Sequence, residues 1–428
     1  MSGKYYTPTR FGVLFCLLVV LLFLRKPDSL TNPQLYAEDG SVFLRDQLVS
    51  PWTAIGFPYN GQFHSLPRIV ALFDSLFPML AVPLICSIVS VLIQALCLSI
   101  FFLPWNRWLI ENDLLRAAAC LVLATAMDGA EMIGFSGPLM WYLFLVGILL
   151  LFRPESSAPQ SARARWMGVA AMALIGMSVA PMVVIIPLAI WIAITRRGVQ
   201  RALAVTLFSV MVVQLGALAF APRTDHPAPM TNALFLLSQV GTATVVSWAY
   251  AGVVTPLLGK SAAIVISRLP SIGPPLCVVI GLTALVTWLL TVLPLNQKLR
   301  LVIGLYLAIG PLASALYVRN LIGLSLSLNG NGPATPARYM VLAGAMLVYM
   351  VCLVIQRLPL RDPRLQAACL LLVFSLAIRY NFHQPPYADF HWKTSVPKID
   401  EWRAAHAAGK PDPLAIPIVP APWSIYLP

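Results

Sequence analysis

The stretch YAEDGSVFLRD, Tyr36 to Asp46, sets Glu38 and Asp39 side by side in a chain where only 11% of residues are charged. A carboxylate within hydrogen-bond reach of a hydroxyl can take its proton as a general base. Holding that carboxylate against apolar surface raises its pKa and improves it in the role. Adjacent side chains point in different directions, so one of the pair faces any one site. Asp39 is the candidate base and Glu38 its alternate. The plainer role is structural, with Asp39 as N-cap of a short helix starting at Gly40 and Glu38 solvated.

Other residues offer related chemistry. Asp128 and Glu131 have the i, i+3 spacing that puts two side chains on one helix face. They could assist a base, hold a divalent metal, or end a short span in water. Arg338-Tyr339 opens a late apolar run. Arginine makes bidentate bonds to phosphate and stays charged, so at a membrane interface it could hold a lipid phosphate. The alternative is a snorkelling Arg beside an interfacial Tyr. His64 and Arg68 are candidates of the same kind, and Asp74 in its apolar setting marks a helix lying flat. The seven cysteines (Cys16, Cys86, Cys97, Cys120, Cys277, Cys352, Cys369) lie within apolar runs without a CxxC pair, which reads as small buried hydrophobes. There is no phosphate-cradling glycine loop, HExxH or GxSxG.

The elements that must position these residues are membrane helices. The chain of 428 residues is 59% hydrophobic, and long apolar stretches alternate with arginines. That composition specifies an all-α polytopic membrane protein. A transmembrane barrel would alternate in segments of about ten residues. The net charge of +13 is spread over short loops and forms no single patch, so no nucleic-acid partner is expected. The first run, Phe11 to Leu24, is followed by Arg25-Lys26-Pro27-Asp28 without a small-x-small cleavage site, and reads as a retained span.

Apolar segments fall near 11–24, 79–103, 114–127, 138–152, 167–180, 182–195, 202–221, 274–295, 301–317, 339–356 and 366–379. Basic residues follow every even-numbered one, as the positive-inside rule requires. The expectation is about eleven transmembrane helices, N-terminus inside and C-terminus outside. Two short passes are preferred over one helix kinked at Pro181. The stretch from Leu234 to Leu258 is read as re-entrant or interfacial, because a crossing would put Arg357 to Arg364 outside. No ionisable side chain falls mid-span, so chemistry belongs at the exterior face. There the loop 25–78 carries the acidic pair and ends in an amphipathic stretch suited to the interface. A domain of 1–379 is followed by a Pro-rich tail, 380–428, helical at Lys398 to Ala408, extended over LAIPIVPAPW, and folding back on the exterior face.

An inside N-terminus, a first exterior loop with an acidic pair, interfacial helices and a late "RY" junction together resemble the GT-C class of membrane glycosyltransferases. YAEDGSVFLRD, FPYNGQFHSLPRIVAL, PARYMV and IPIVPAPW are also similar to a group of bacterial inner-membrane proteins of that layout. The resemblance implies a multi-pass protein of the bacterial inner membrane that moves a sugar from a polyprenyl-phosphate donor. The acceptor would be a hydroxyl of a surface glycan or lipid on the periplasmic face. It implies Asp39 as base, with Glu38 as alternate, Arg338 on the lipid phosphate, and Asp128 and Glu131 as second-loop acidic groups. Whether a divalent metal assists is left open. Two departures stand out: Ser136-Gly137-Pro138 is less polar than a substrate edge, and the tail is small for an acceptor-binding domain. The alternative reading is a non-enzymatic flippase for lipid-linked glycans, or a membrane assembly partner.

Overall fold

The structure, a computed structural model, describes residues 6–154, 161–220, 252–267, 280–281, 302, 304–305, 337–410 and 412–428, apart from the side chains of 130, 263, 264, 266, 267 and 337–340. Helices of seven residues or more are numbered. They are α1 (Pro8–Arg25), α2 (Ser65–Asp74), α3 (Val82–Ile100), α4 (Asp113–Thr125), α5 (Leu139–Leu151), α6 (Ala162–Ser178), α7 (Ile186–Thr195), α8 (Gly198–Phe220), α9 (Lys260–Ser267), α10 (Ala337–Ile355), α11 (Pro363–Val373), α12 (Ser375–Asn381) and α13 (Trp392–Ala407). The antiparallel strands β1 (Leu414–Pro417) and β2 (Ser424–Leu427) pair with Leu414 opposite Leu427.

Three helical stretches are long and apolar enough to cross a membrane: Pro8–Arg25, Met79–Ile100 and Gly198–Phe220. Two bent pairs raise the number to five, Ala162–Ser178 with Ala180–Thr195 at 114° and Pro363–Val373 with Ser375–Asn381 at 50°. The first pair breaks around Pro181, as expected where a proline follows a helix end. Fewer than the expected eleven therefore meet the length test among the described residues. Two expected segments, 274–295 and 301–317, lie almost wholly outside them. Others are short, such as α5 with 13 residues, about 20 Å of rise. The region 222–273 is described only at 252–267. The outward faces remain apolar. On α1, Leu14, Leu18 and Leu22 are buried while Val13, Leu17, Val20 and Leu24 are exposed, which is the pattern of a helix with one side in lipid. The chain is an α-helical membrane protein.

The chain divides into two compact units. The first comprises Met1–Leu21, Ala95–Gly129 and His226–Gln384. Its polar fastening is Asp113, which accepts from Arg107 and Arg116 and from the amide of Tyr6 at 3.0 Å. Asn381 fastens α12 by donating to the carbonyl of Ala126 at 2.6 Å and accepting from the amide of Lys260 at 2.8 Å.

The second unit comprises Leu22–Gln94, Ala130–Asp225 and Pro385–Pro428. Here α2 is tied to α6 where the amide of Leu66 donates to Ser178 Oγ at 2.9 Å. Gln214 of α8 accepts from the amide of Phe63 at 2.9 Å. On and after α2, Ile69, Phe73, Leu76 and Leu80 stay exposed, an apolar stripe suited to the membrane interface. The tail folds back on the first loop. Leu35, Leu44, Met79 and Val82 form one core cluster with Trp392, Ile399, Trp402, Ile416, Ile418, Ile425 and Leu427. Fully burying each such side chain is worth roughly 1.5–3 kcal/mol, so this core holds the tail in place. The indoles add direction: Trp392 Nε1 donates to the Met79 carbonyl at 2.8 Å. The helix of the tail begins earlier than expected, at Trp392.

Candidate functional site

Residues Asp39–Leu44 form a π-helical turn that runs into a short α-helical turn, Arg45–Val49. Single π-helical turns recur at functional sites, because the extra residue re-aims the side chains around it. The strand-like entry to this turn is fixed from the tail. The amide of Ala37 donates to the carbonyl of Val419 at 2.6 Å, and the amide of Val419 donates to the carbonyl of Leu35 at 3.2 Å. Gly40 then allows close packing, since a Cβ there would meet Ile418 Cδ1 at 2.7 Å.

Asp39 is 4% exposed. It does not cap its own helix. Its carboxylate instead reaches the second loop, where Oδ1 accepts from Ser136 Oγ at 2.7 Å and from the Gly137 amide at 3.0 Å. Oδ2 accepts from the Ser136 amide at 2.9 Å. Burial pushes its pKa up to about 6 against these three donors, and the charge of Glu38 adds to the rise. The result is a carboxylate that is ionised at neutral pH yet basic enough to collect a proton. Glu38, its neighbour, is half-buried.

Ser136 and Gly137 are the residues that sequence reasoning passed over. Their tract looked too apolar for a site, but two of its three donors to Asp39 come from the backbone, which residue types do not reveal. Around it lies an aromatic cluster in which Tyr36 stacks on Phe135 at 4.7 Å and Tyr387 tilts against both. Tyr36 Oη donates to Glu131 Oε2 at 3.2 Å. Lys26 Nζ sits 3.8 Å over the Tyr387 ring and pairs with Asp28 at 2.7 Å.

Asp128 and Glu131 do not share a helix face. The helix ends before Asp128, Gly129 takes φ +126°, and only a short 3-10 turn, Ala130–Met132, follows. Asp128 belongs to the first unit and pairs with Lys260 at 3.4 Å, whereas Glu131 belongs to the second. Among the described residues no group of three or more His, Cys, Asp or Glu side chains could hold a metal ion. Arg338 and Tyr339 lie in the first turn of α10, and their side chains fall outside the described ones.

Arg68 and His64 do converge. The Arg68 side chain is 1% exposed and its Nη1 donates to Asp46 Oδ2 at 3.1 Å. Its Nε and Nη2 are buried without a hydrogen-bond partner. Its guanidinium stands 5.5 Å over Phe43, in the same turn as Asp39. His64 is half-buried between Phe43 and Tyr59, at ring separations of 5.7 and 6.0 Å. Burial, then the charge of Arg68, pulls its pKa down to about 4, so the imidazole is neutral at pH 7. A buried guanidinium with two idle donors beside a neutral imidazole suits an anionic oxygen. Beyond Asp46 a cleft of about 620 Å³ opens among Arg45, Ser50, Phe57 and the hairpin residues Leu414 and Tyr426.

No family model matches the sequence, and no curated protein matches it. Among solved structures, the Archaeoglobus fulgidus oligosaccharyltransferase, in complex with Zn and sulfate, is similar over 91% of this chain at 13% identity and a TM-score of 0.42. The match spans 56% of the length of that structure's chain.

Proposed function

We propose that this chain is an inverting membrane glycosyltransferase of the GT-C type, with about eleven spans, N-terminus inside and C-terminus outside. It would act at the periplasmic face of a bacterial inner membrane, moving a sugar from a polyprenyl-phosphate donor to a hydroxyl of a surface glycan or lipid. The observation that carries the reading is Asp39, a buried carboxylate aimed by three donors from another loop and poised near pH 6.

Oδ1 of Asp39 already accepts two hydrogen bonds and Oδ2 one, so Oδ2 has room for the acceptor hydroxyl. The proton passes to Oδ2 as the hydroxyl oxygen attacks the anomeric carbon. The bond from that carbon to the phosphate oxygen breaks, and its electron pair leaves on the lipid phosphate. A guanidinium neutralises the departing charge. Arg68 suits this role by its two idle donors, and Arg338, at the start of α10, is the candidate for it in the sequence. No step is assigned to a metal.

The test is transfer by purified protein in vesicles charged with a polyprenyl-phosphate sugar. Removing a general base costs about 10²–10⁴ in rate. Asp39→Asn should fall by that range while Glu38→Gln stays within a few-fold. Undiminished transfer by Asp39→Asn sinks the mechanism.

A further inference from the structure

Behind Asp39 lies a set of polar side chains that this mechanism does not use. Asp74 ends α2 and is 3% exposed. Cys86, Ser87, Ser90 and Gln94 follow on α3, all buried. Their i, i+4 and i, i+3 spacings place them along one face, which rises about 10 Å from Ser87 to Gln94. Asp74 Oδ1, Ser87 Oγ, Ser90 Oγ and Gln94 Oε1 are each buried without a hydrogen-bond partner. Gln94 keeps its amide nitrogen on Tyr142 Oη at 2.7 Å. Three orphaned oxygens along α3 and a fourth on Asp74 are too costly for a dry interior, whereas a buried water makes about three bonds and satisfies such groups.

The row abuts the site. A Cβ on Gly134, at φ +82°, would meet Ser87 Oγ at 2.7 Å, and two residues later Ser136 grips Asp39. The Cys86 thiol lies between Asp74 and Ser90, and the charge of Asp39 is felt at both Asp74 and Cys86. We propose that Asp74, Ser87, Ser90 and Gln94 enclose a chain of ordered waters reaching the buried side of Asp39, and that Asp39 exchanges protons through it.

Ser136 and Gly137 hold Asp39 on the side of the second loop, and the row on α3 is where its carboxyl proton exchanges. The ionisable groups facing Asp74 are Asp39 from the π-helical turn and Cys86 from α3. On its own helix Arg68 is committed to Asp46. Burial, then the charge of Asp39, raises the Asp74 pKa to about 8. At neutral pH Asp74 therefore holds a proton, and a neutral carboxyl both donates to and accepts from water. In turn, a protonated Asp39 gives its proton to the first water and takes one back from it, an exchange that leaves no net charge in the row. Its use in turnover rests on Asp39 as the base, but the water chain does not.

Infrared difference spectroscopy on the whole protein in lipid tests the chain directly. At pH 7 a carboxylic-acid carbonyl band should be present, absent from Asp74→Asn, and shifted promptly by deuterium oxide. Ser90→Ala and Gln94→Leu, which break the row, should slow that shift at least tenfold. Asp39→Asn should lower the pH midpoint of the band by removing a neighbouring charge. A band that persists in Asp74→Asn, or exchange equally fast in Ser90→Ala and Gln94→Leu, overturns the proposal. If the band behaves as expected while Asp39→Asn transfers sugar normally, the base assignment fails and the water chain stands. The reverse outcome leaves the base and removes the chain.

Discussion

Ser136 grips both oxygens of Asp39, its hydroxyl 2.7 Å from Oδ1 and its amide 2.9 Å from Oδ2, across 97 residues of sequence. One residue thereby sets the position and the basicity of the candidate base. Hydrogen bonds to the charged form favour it, so they hold the Asp39 pKa below the value that burial alone would give.

Ser136→Ala removes the hydroxyl donor and keeps the amide. A hydrogen bond to a charged group is worth about 1.5–3 kcal/mol, so the variant should lose stability of that order. The Asp39 pKa should rise above about 6, moving the acid limb of any pH–rate profile to higher pH. Ser136→Thr retains the donor and should behave nearly as wild type. Thermal unfolding in detergent and the pH profile of sugar transfer read the two effects. An unmoved acid limb in Ser136→Ala would show that the hydroxyl does not tune Asp39.

Stability should fall as pH rises from mild acid. An acid with a raised folded pKa keeps its proton in the fold where the unfolded chain has lost it. This contribution is full below about pH 4 and is lost as pH climbs to about 6 for Asp39 and about 8 for Asp74. Each pKa unit corresponds to about 1.4 kcal/mol, and with Asp74 half titrated at pH 8 the interval from pH 6 to 8 amounts to about 2 kcal/mol from Asp74 alone. Thermal unfolding of Asp74→Asn across that interval should be flat relative to wild type. A parallel decline in both proteins would remove Asp74 as its source.

The sequence made the helical membrane class legible because composition and arginine placement are local signals. It also brought out Asp39, because an acidic pair is conspicuous in so apolar a chain. The tail's helix and its extended end followed from local pattern. Ser136 and Gly137 stayed hidden because their contribution is mostly backbone. The spacing of Asp128 and Glu131 misled because it presumed a helix that has already ended at Thr125. The row Ser87, Ser90 and Gln94 carries no local signal, because only their shared helix face aligns them.

Asp46 carries two guanidiniums, Arg45 on Oδ1 and the buried Arg68 on Oδ2. Asp46→Ala leaves Arg68 buried without its counter-charge, a loss of about 3–5 kcal/mol. Arg68→Met removes the charge with its desolvation cost and fills similar volume, so it should be markedly milder. Arg45, 38% exposed, contributes at most about 1 kcal/mol through its pair, and Arg45→Ala should be nearly silent. Equal losses in Asp46→Ala and Arg45→Ala would contradict the burial argument. If Arg68 also meets the donor phosphate, Arg68→Met should raise KM for the lipid while remaining folded.

The tail's grip on the base can be tested at a single glycine. A Cβ on Gly40 would stand 2.7 Å from Ile418 Cδ1 and 3.3 Å from Leu35 Cβ, inside the core shared by the first loop and the hairpin. Overpacking of this kind costs about 1–3 kcal/mol, because neighbouring side chains leave their rotamers. The displaced turn begins at Asp39, so Gly40→Ala should also weaken sugar transfer. Ile418→Val deletes the clashing methyl and alone should cost about 0.5–1.5 kcal/mol for the cavity. Residues in direct contact do not add, and here the smaller side chain makes room for the larger. The double variant should therefore be more stable than the sum of the singles, with transfer partly restored. Strict additivity of the two unfolding free energies would mean that Ile418 does not set the position of the turn.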